Sequence, residues 1–244
     1  MKIVLDTNIY RENPRMDKVL FERLIKYGER TRATFMVPKV VAEELTSVHQ
    51  RHVQETAIAL KSAIRKANAA LVTSAPVPLP EIDIGEEATK YLGYVLAKLG
   101  IETTDIVPHK PEFLDEVVRR AVNRIRPCSD AGEEFRDALL WLNCLEIAKE
   151  DPAVPTVLIS KNTKQFAADG SLHPDLVGDV TAAGVNLQYY QTIDAFLAAH
   201  AEKIKFITAE WVEDQIVVEM IEDSVNEWAQ YGLEELRDFS TPTA

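Results

Sequence analysis

The feature that most constrains the fold is a short run at the start of the chain. Ile3-Val4-Leu5 are apolar on consecutive positions, and the run ends abruptly in Asp6-Thr7-Asn8. A half-buried strand alternates apolar and polar residues. Apolar neighbours require cover on both faces, which is the situation of a central strand in a parallel sheet packed between helices. An acid placed where such a strand stops lies at the carboxyl edge of the sheet, where open α/β folds bind ligands and metals. Asp6 therefore either caps a turn or seeds a site, and the second reading requires further acids that converge on it.

The rest of the chain reads as alternating strands and helices. A helix is expected at about 14–30, opened by Asn13-Pro14 as N-cap and first helical residue, with Val19, Leu20, Leu24 and Tyr27 at helical spacing. Thr34-Phe35-Met36-Val37 is a second strand. Pro38 then opens a long helix, about 39–70, free of internal proline and glycine. With Val41 set at zero and about 100° per residue, Leu45 and Val48 fall on one stripe. Glu44 lies at its edge, roughly −60°, and Glu43 on the far side, roughly 200°. Glu44 is thus directed at the sheet and Glu43 at water. A carboxylate on a core-facing edge needs a cation or a donor, which a salt bridge could also supply. His49 and His52 lack an HExxH pattern and read as solvent-facing polar residues.

Ala75-Pro76-Val77-Pro78-Leu79-Pro80 is a stiff extended connector. Helices follow at 84–99, closed by Gly100, and at about 111–125, with a loop between them; the stretch from about 71 to 126 reads as a helical insertion. A helix from 133 to about 149 presents Phe135, Ala138, Leu142 and Leu145 as its apolar face, with Asp137 at the flank of that face in the first turns. Acids are favoured there by the helix dipole alone. Thr156-Val157-Leu158-Ile159-Ser160 is the next buried strand. A helix at 174–183, a strand at 185–190 and a helix at 192–200 complete an α/β body with a mostly parallel sheet. From 208 to 238 the chain looks helical and acidic.

Charge and cysteine usage narrow the class. The chain of 244 residues has a net charge of −12. Beyond residue 200, eleven acids and three bases leave that segment at −8, so the body is far less acidic than the whole. No apolar run reaches the roughly 20 residues that a membrane span needs, and the N-terminus has no signal-peptide pattern. Cys128 and Cys144 form no CxxC pair and suit free thiols in a reducing compartment, so a cytoplasmic protein is expected.

Asp6, Glu44 and Asp137 thus sit on elements whose ends meet at one edge of a parallel sheet. Clustered carboxylates repel one another, and Mg²⁺ or Mn²⁺ bound through oxygen ligands relieves that repulsion.

Four segments taken together resemble the successive motifs of PIN domains. They are Val4-Leu5-Asp6-Thr7-Asn8; Val37-Pro38 through Glu43-Glu44-Leu45; Phe135-Arg136-Asp137-Ala138-Leu139, preceded by Gly132-Glu133-Glu134; and Leu158-Ile159-Ser160-Lys161-Asn162-Thr163-Lys164-Gln165-Phe166. The resemblance covers roughly 1–70 and 111–200. It implies a three-layer α/β/α sandwich with a mostly parallel central sheet, here with the helical insertion and a helical C-terminal extension over 201–244. It also implies a metal-dependent nuclease, most often a ribonuclease. Asp6, Glu44 and Asp137 would then be catalytic metal-binding acids, supported by Asn8, Ser160 and Asn162. Many members carry a fourth acid where this chain has Asn162, which weakens the case for a second metal; Asp169 is a remote substitute.

The best basic candidates for nucleic-acid contact are Arg119, Arg120, Arg124, Arg126 and Arg136. The α-helical arginines can equally form a solvated face paired with Glu112, Asp115 and Glu116. No RNA platform of interleaved aromatic and basic residues is visible along the chain. The expected substrate is RNA, single-stranded or structured, although the same chemistry would act on DNA. A homodimer and an inhibitory protein partner remain open. A catalytically weakened binding or regulatory module is the alternative function. A phosphatase with Asp6 as covalent nucleophile wants a general acid at position 8, which Asn8 cannot be.

Overall fold

The computed structural model describes residues 1–72, 75–128 and 134–200. The expected helical extension over 201–244, and Gly132 and Glu133 of the third motif, lie outside the described residues.

The first strand is central, as its composition requires. Strand β1 (Lys2–Leu5) pairs in parallel with β2 (Thr34–Met36) on one side and β3 (Thr156–Ile159) on the other, and β3 pairs in parallel with β6 (Leu187–Tyr190). The order is β2-β1-β3-β6. Ile3, Val4, Val157, Leu158 and Ile159 are wholly buried. The chain leaves β1 toward one edge and later returns to build toward the other, so the strand order reverses between β1 and β3. The crevice at the carboxyl ends of those two strands is the switch point at which sheets of this kind bind ligands.

Helices cover both faces of the sheet. On one side, α2 (Val19–Thr31) packs against α9 (Ile193–His200). On the other lie α3 (Lys39–Ala70) and α6 (Phe135–Glu150), with α4 (Ile84–Leu99) laid along α3, and with α5 (Phe113–Asn123) and α8 (Pro174–Ala183) packed on α6. Helix α6 touches β1, β3 and β6. Its residues Ala138, Trp141, Cys144 and Ile147 are wholly buried. Since α5 and α8 cover its other side, α6 is apolar almost all round, as a central helix must be.

Three local features depart from the expectations. The helix expected at 14–30 starts later than expected, and an unforeseen helical turn precedes it. A one-turn helix α1 (Thr7–Arg11) follows Asp6 directly, and α2 begins only after Lys18. Between them Met16 N donates to Asn13 O at 2.9 Å, and Met16 adopts φ 51°, which turns the chain and buries Met16 completely. Asn13-Pro14 thus opens a turn rather than a helix. The buried face of α2 is Phe21, Leu24 and Gly28, while Val19 is 61% exposed. A Cβ on Gly28 would meet the Phe35 ring at 2.8 Å, so glycine is what allows α2 to approach β2. Phe135 is also exposed, at the free start of α6.

A short helix α7 (Thr163–Phe166) and a two-residue hairpin, β4 (Ala167–Ala168) with β5 (Ser171–Leu172), were not foreseen. Asp169 and Gly170 form its tip, both at positive φ, as such tight hairpin turns demand.

The insertion is tied to the site-bearing helix. A turn at Thr103–Asp105 brings Val107 back beside Pro38, where Val107 N donates to Val37 O at 3.0 Å and Lys39 N donates to Val107 O at 2.8 Å. This bridge continues the β2 edge. It also satisfies a donor at the start of α3, whose N-cap residue, Pro38, has no side-chain cap.

Candidate active site at the sheet switch point

Asp6 is the first residue past β1, and its backbone N–H still donates to Ile159 O at 3.0 Å. The ladder therefore holds it in place and leaves its side chain in the crevice, 6% exposed. Oδ2 accepts hydrogen bonds from Asn8 Nδ2 at 2.6 Å and from the Ser160 hydroxyl. Ser160 Oγ in turn accepts from Asn8 Nδ2 at 3.2 Å and from the Asn162 backbone N–H at 3.1 Å. Asn8 Oδ1 accepts from Lys161 N at 3.1 Å, and the Tyr189 hydroxyl donates to Ser160 O at 2.7 Å. Three of the residues singled out from the sequence, Asp6, Asn8 and Ser160, thus form one connected network.

Glu44 enters from α3. Its Oε2 accepts from Thr7 Oγ1 at 3.0 Å, and its Oε1 pairs with Arg136 on α6. The Glu44 side chain is 22% exposed, against 62% for Glu43, which reaches out to Lys39 at 3.6 Å. The helical phase derived for α3 is the one observed. Thr7 escaped notice because its partner lies 37 positions away.

Asp137 completes the group from the first turn of α6. Its carboxyl is pushed up to about 7, first by burial and then by the charge of Asp6; a hydrogen bond from the Asn162 side chain pulls it down, Glu44 pushes it up, and Arg136 opposes them. The Asp6 carboxyl is likewise raised, mainly by burial, against the Ser160 hydrogen bond and with a contribution from Glu44. The three acids are therefore electrostatic neighbours at one edge of the sheet.

Among the described residues, however, no group of three or more His, Cys, Asp or Glu side chains stands assembled as a metal cage. Glu44 is instead neutralised by Arg136. The donor set still fits a hard divalent cation. All three groups are oxygen ligands, Asp6 and Asp137 are held above their ordinary range mainly by burial and further by their acidic neighbours, and Mg²⁺ typically binds through one or two carboxylates while retaining several waters. Asp169 does not contribute, since it is exposed at the hairpin tip.

The arginines divide sharply. The Arg120 side chain is 3% exposed. It bonds Glu116 at 2.6 Å and Asp179 at 2.7 Å, and donates to the Arg126 carbonyl. Asp179 Oδ2 also accepts from Trp141 Nε1 at 2.8 Å, so Arg120 clamps α5 to α8 and lies too deep to meet a phosphate. Arg119 is held by both oxygens of Glu116 at 2.7 Å. Arg124 closes α5 with φ 57° and bonds the Ala121 carbonyl at 3.2 Å, and Arg126 donates its backbone N–H to Asp175 at 3.3 Å. Arg119 thus pairs with Glu116 on an exposed face, whereas Arg120 is buried and pairs across to α8. Arg136 is 68% exposed and adjoins the acids.

A parallel α/β domain with one buried and two half-buried carboxylates gathered at its switch point has a nuclease-like architecture. The family model of the PIN domain matches residues 3–166, and the chain belongs to that family. No curated protein and no solved structure matches the chain. PIN domains are generally nucleases and typically use divalent metal ions. No helix among the described residues is long and apolar enough to cross a membrane, and the two cysteines are free and buried.

Proposed function

We propose that the protein is a metal-dependent endoribonuclease that hydrolyses phosphodiester bonds of RNA. The observation that carries this reading is the coupling of Asp6, Glu44 and Asp137, with Asp137 raised to about 7 by burial and by its acidic neighbours. A buried like-charge cluster is stabilised by a bound cation. Asp6, Asp137 and Glu44 would hold Mg²⁺ or Mn²⁺, which supplies an activated water and offsets charge on the phosphodiester. Asn8 and Ser160 fix the orientation of Asp6, Asn162 orients Asp137, and Thr7 orients Glu44. Arg136 keeps a positive charge at the mouth of the site, where a phosphate would enter.

The test is cleavage of single-stranded RNA by the full chain with Mg²⁺ or Mn²⁺, compared with EDTA and with Asp6→Asn. Cleavage that needs both the metal and Asp6 supports the proposal. One observation favours the second reading, a binding or regulatory module: the Arg136–Glu44 pair already neutralises one of the acids. RNA binding without metal-dependent cleavage would establish that alternative.

A further inference from the structure

Two hollows adjoin across Pro14, His49, His52 and Tyr91, and the first reaches Glu44. The first, about 440 Å³, has Glu44 and Arg136 at one end and is lined further along by Arg11, Arg51, His49 and Tyr91. The second, about 740 Å³, continues from His49 and Tyr91 to Tyr94. Helix α3 explains part of this layout. Glu44, Val48, Arg51 and Glu55 recur at i, i+4, i+7 and i+11 and share a face, which places Arg51 about 10 Å along the helix from Glu44. Arg11 ends α1, one turn after Thr7, the residue that holds Glu44.

The charges here are available, unlike those of Arg119 and Arg120, which Glu116 pairs. Arg11 and Arg51 are exposed, and neither forms an ion pair with a described residue. With Arg136 they outnumber the acids of the first hollow, Glu44 and Glu55. The helical insertion supplies the aromatic side. The Tyr91 ring stacks on His49 at 3.9 Å and 12°, and Tyr94, one turn on, is 39% exposed with its hydroxyl fixed to the Arg15 carbonyl. A basic track beside fixed aromatic faces is the combination that binds single strands, whose unstacked bases lie against rings while phosphates meet arginines.

We propose that this groove, and not the arginine-bearing helix α5, holds a single-stranded nucleic acid, with phosphates at Arg11 and Arg51 and bases against the Tyr91–Tyr94 ledge. That the groove leads the strand to the catalytic acids rests on the nuclease reading above; the binding itself does not.

The experiment measures binding of a fluorescently labelled single-stranded RNA of mixed sequence to the full chain in EDTA, over a range of salt concentrations. Arg11→Ala/Arg51→Ala should weaken binding about tenfold or more and flatten the salt dependence by about 1.4 in log–log slope, since each phosphate contact on a single strand contributes about 0.7. Tyr94→Leu should weaken binding about tenfold with the slope unchanged, because stacking is not ionic. Arg119→Ala/Arg124→Ala should leave both unchanged, and a duplex of the same sequence should bind more weakly than the single strand. No binding by the unmodified chain, equal binding by the Arg11/Arg51 variant, or loss confined to the α5 variant overturns the groove. Cleavage assayed separately distinguishes the two readings: groove-dependent binding without metal-dependent cleavage sinks the nuclease reading alone, and cleavage indifferent to Arg11 and Arg51 sinks the groove alone.

Discussion

The two halves of the site are held in different ways. The strand-borne half, Asp6 with Asn8 and Ser160, is cross-bonded and closed to solvent, and the Ser160 backbone extends the ladder by donating to Tyr190 O at 3.0 Å. The helix-borne half, Glu44 and Asp137, faces the crevice opening, where Glu44 is matched by an exposed arginine and Asp137 by a single amide. The first half is organised by the fold itself. The second carries the unresolved charge and is the part that a cation would rearrange. Catalysis of this kind depends on a fixed first contact and on groups whose charge becomes favourable only with the ligand in place.

The largest effect expected from that contrast lies in the helix-borne half. Glu44→Gln should lower metal-dependent RNA cleavage by about a hundredfold or more, while Glu43→Gln, one residue away and exposed, should leave it nearly intact. Equal losses in a cleavage assay would break the distinction. In the strand-borne half, Ser160→Ala removes a donor from a buried carboxylate and should destabilise the protein by about 1–3 kcal/mol, read from urea denaturation. A loss of activity with unchanged stability would mean that Ser160 does not support Asp6 structurally. Smallest is Arg136→Ala. Its pair with Glu44 is largely exposed, so stability should fall by less than about 1 kcal/mol. Mn²⁺ should bind more tightly once the competing guanidinium is gone, and weaker Mn²⁺ binding would overturn its role as a stand-in counter-charge.

What could be read from the sequence follows the range of the interactions. The central strand and Asp6 were legible because unbroken apolar runs have few structural meanings. Glu44 was legible because a helix without proline or glycine keeps its phase over many turns. Asp137 could be placed near the flank of its helix, but the same position is favoured by the helix dipole, so its role depended on the geometry. The features that were not legible are made by distant pairs. Arg120 has the composition of a surface arginine until Asp179, on another helix, buries it. The Arg136–Glu44 pair joins residues 92 positions apart. His49 and Tyr91 become an aromatic wall only because α4 lies along α3, so a search along the chain finds no platform. Asn13-Pro14 misled because helix and turn share that signal, and the deciding residue, a buried Met16 at positive φ, carries no composition of its own.

Asp137 is raised by burial first and then by the charges of Asp6 and Glu44, and a bound cation would offset that crowding. In the metal-free protein Asp137 holds its proton up to about pH 7 when folded and loses it near its ordinary value of 3.8 when unfolded. Between those values the folded state binds more protons, so its contribution to stability is full at low pH and is lost as pH rises through about 7. A divalent cation must displace that proton. Calorimetric titration of Mn²⁺ into the full chain, in buffers of different ionisation enthalpy, reads this directly. The account predicts saturable binding with proton release that rises to about one from Asp137 as pH falls below about 7, and that is reduced in Asp137→Asn. No saturable binding, or binding whose proton release is unaffected by Asp137→Asn, would contradict it.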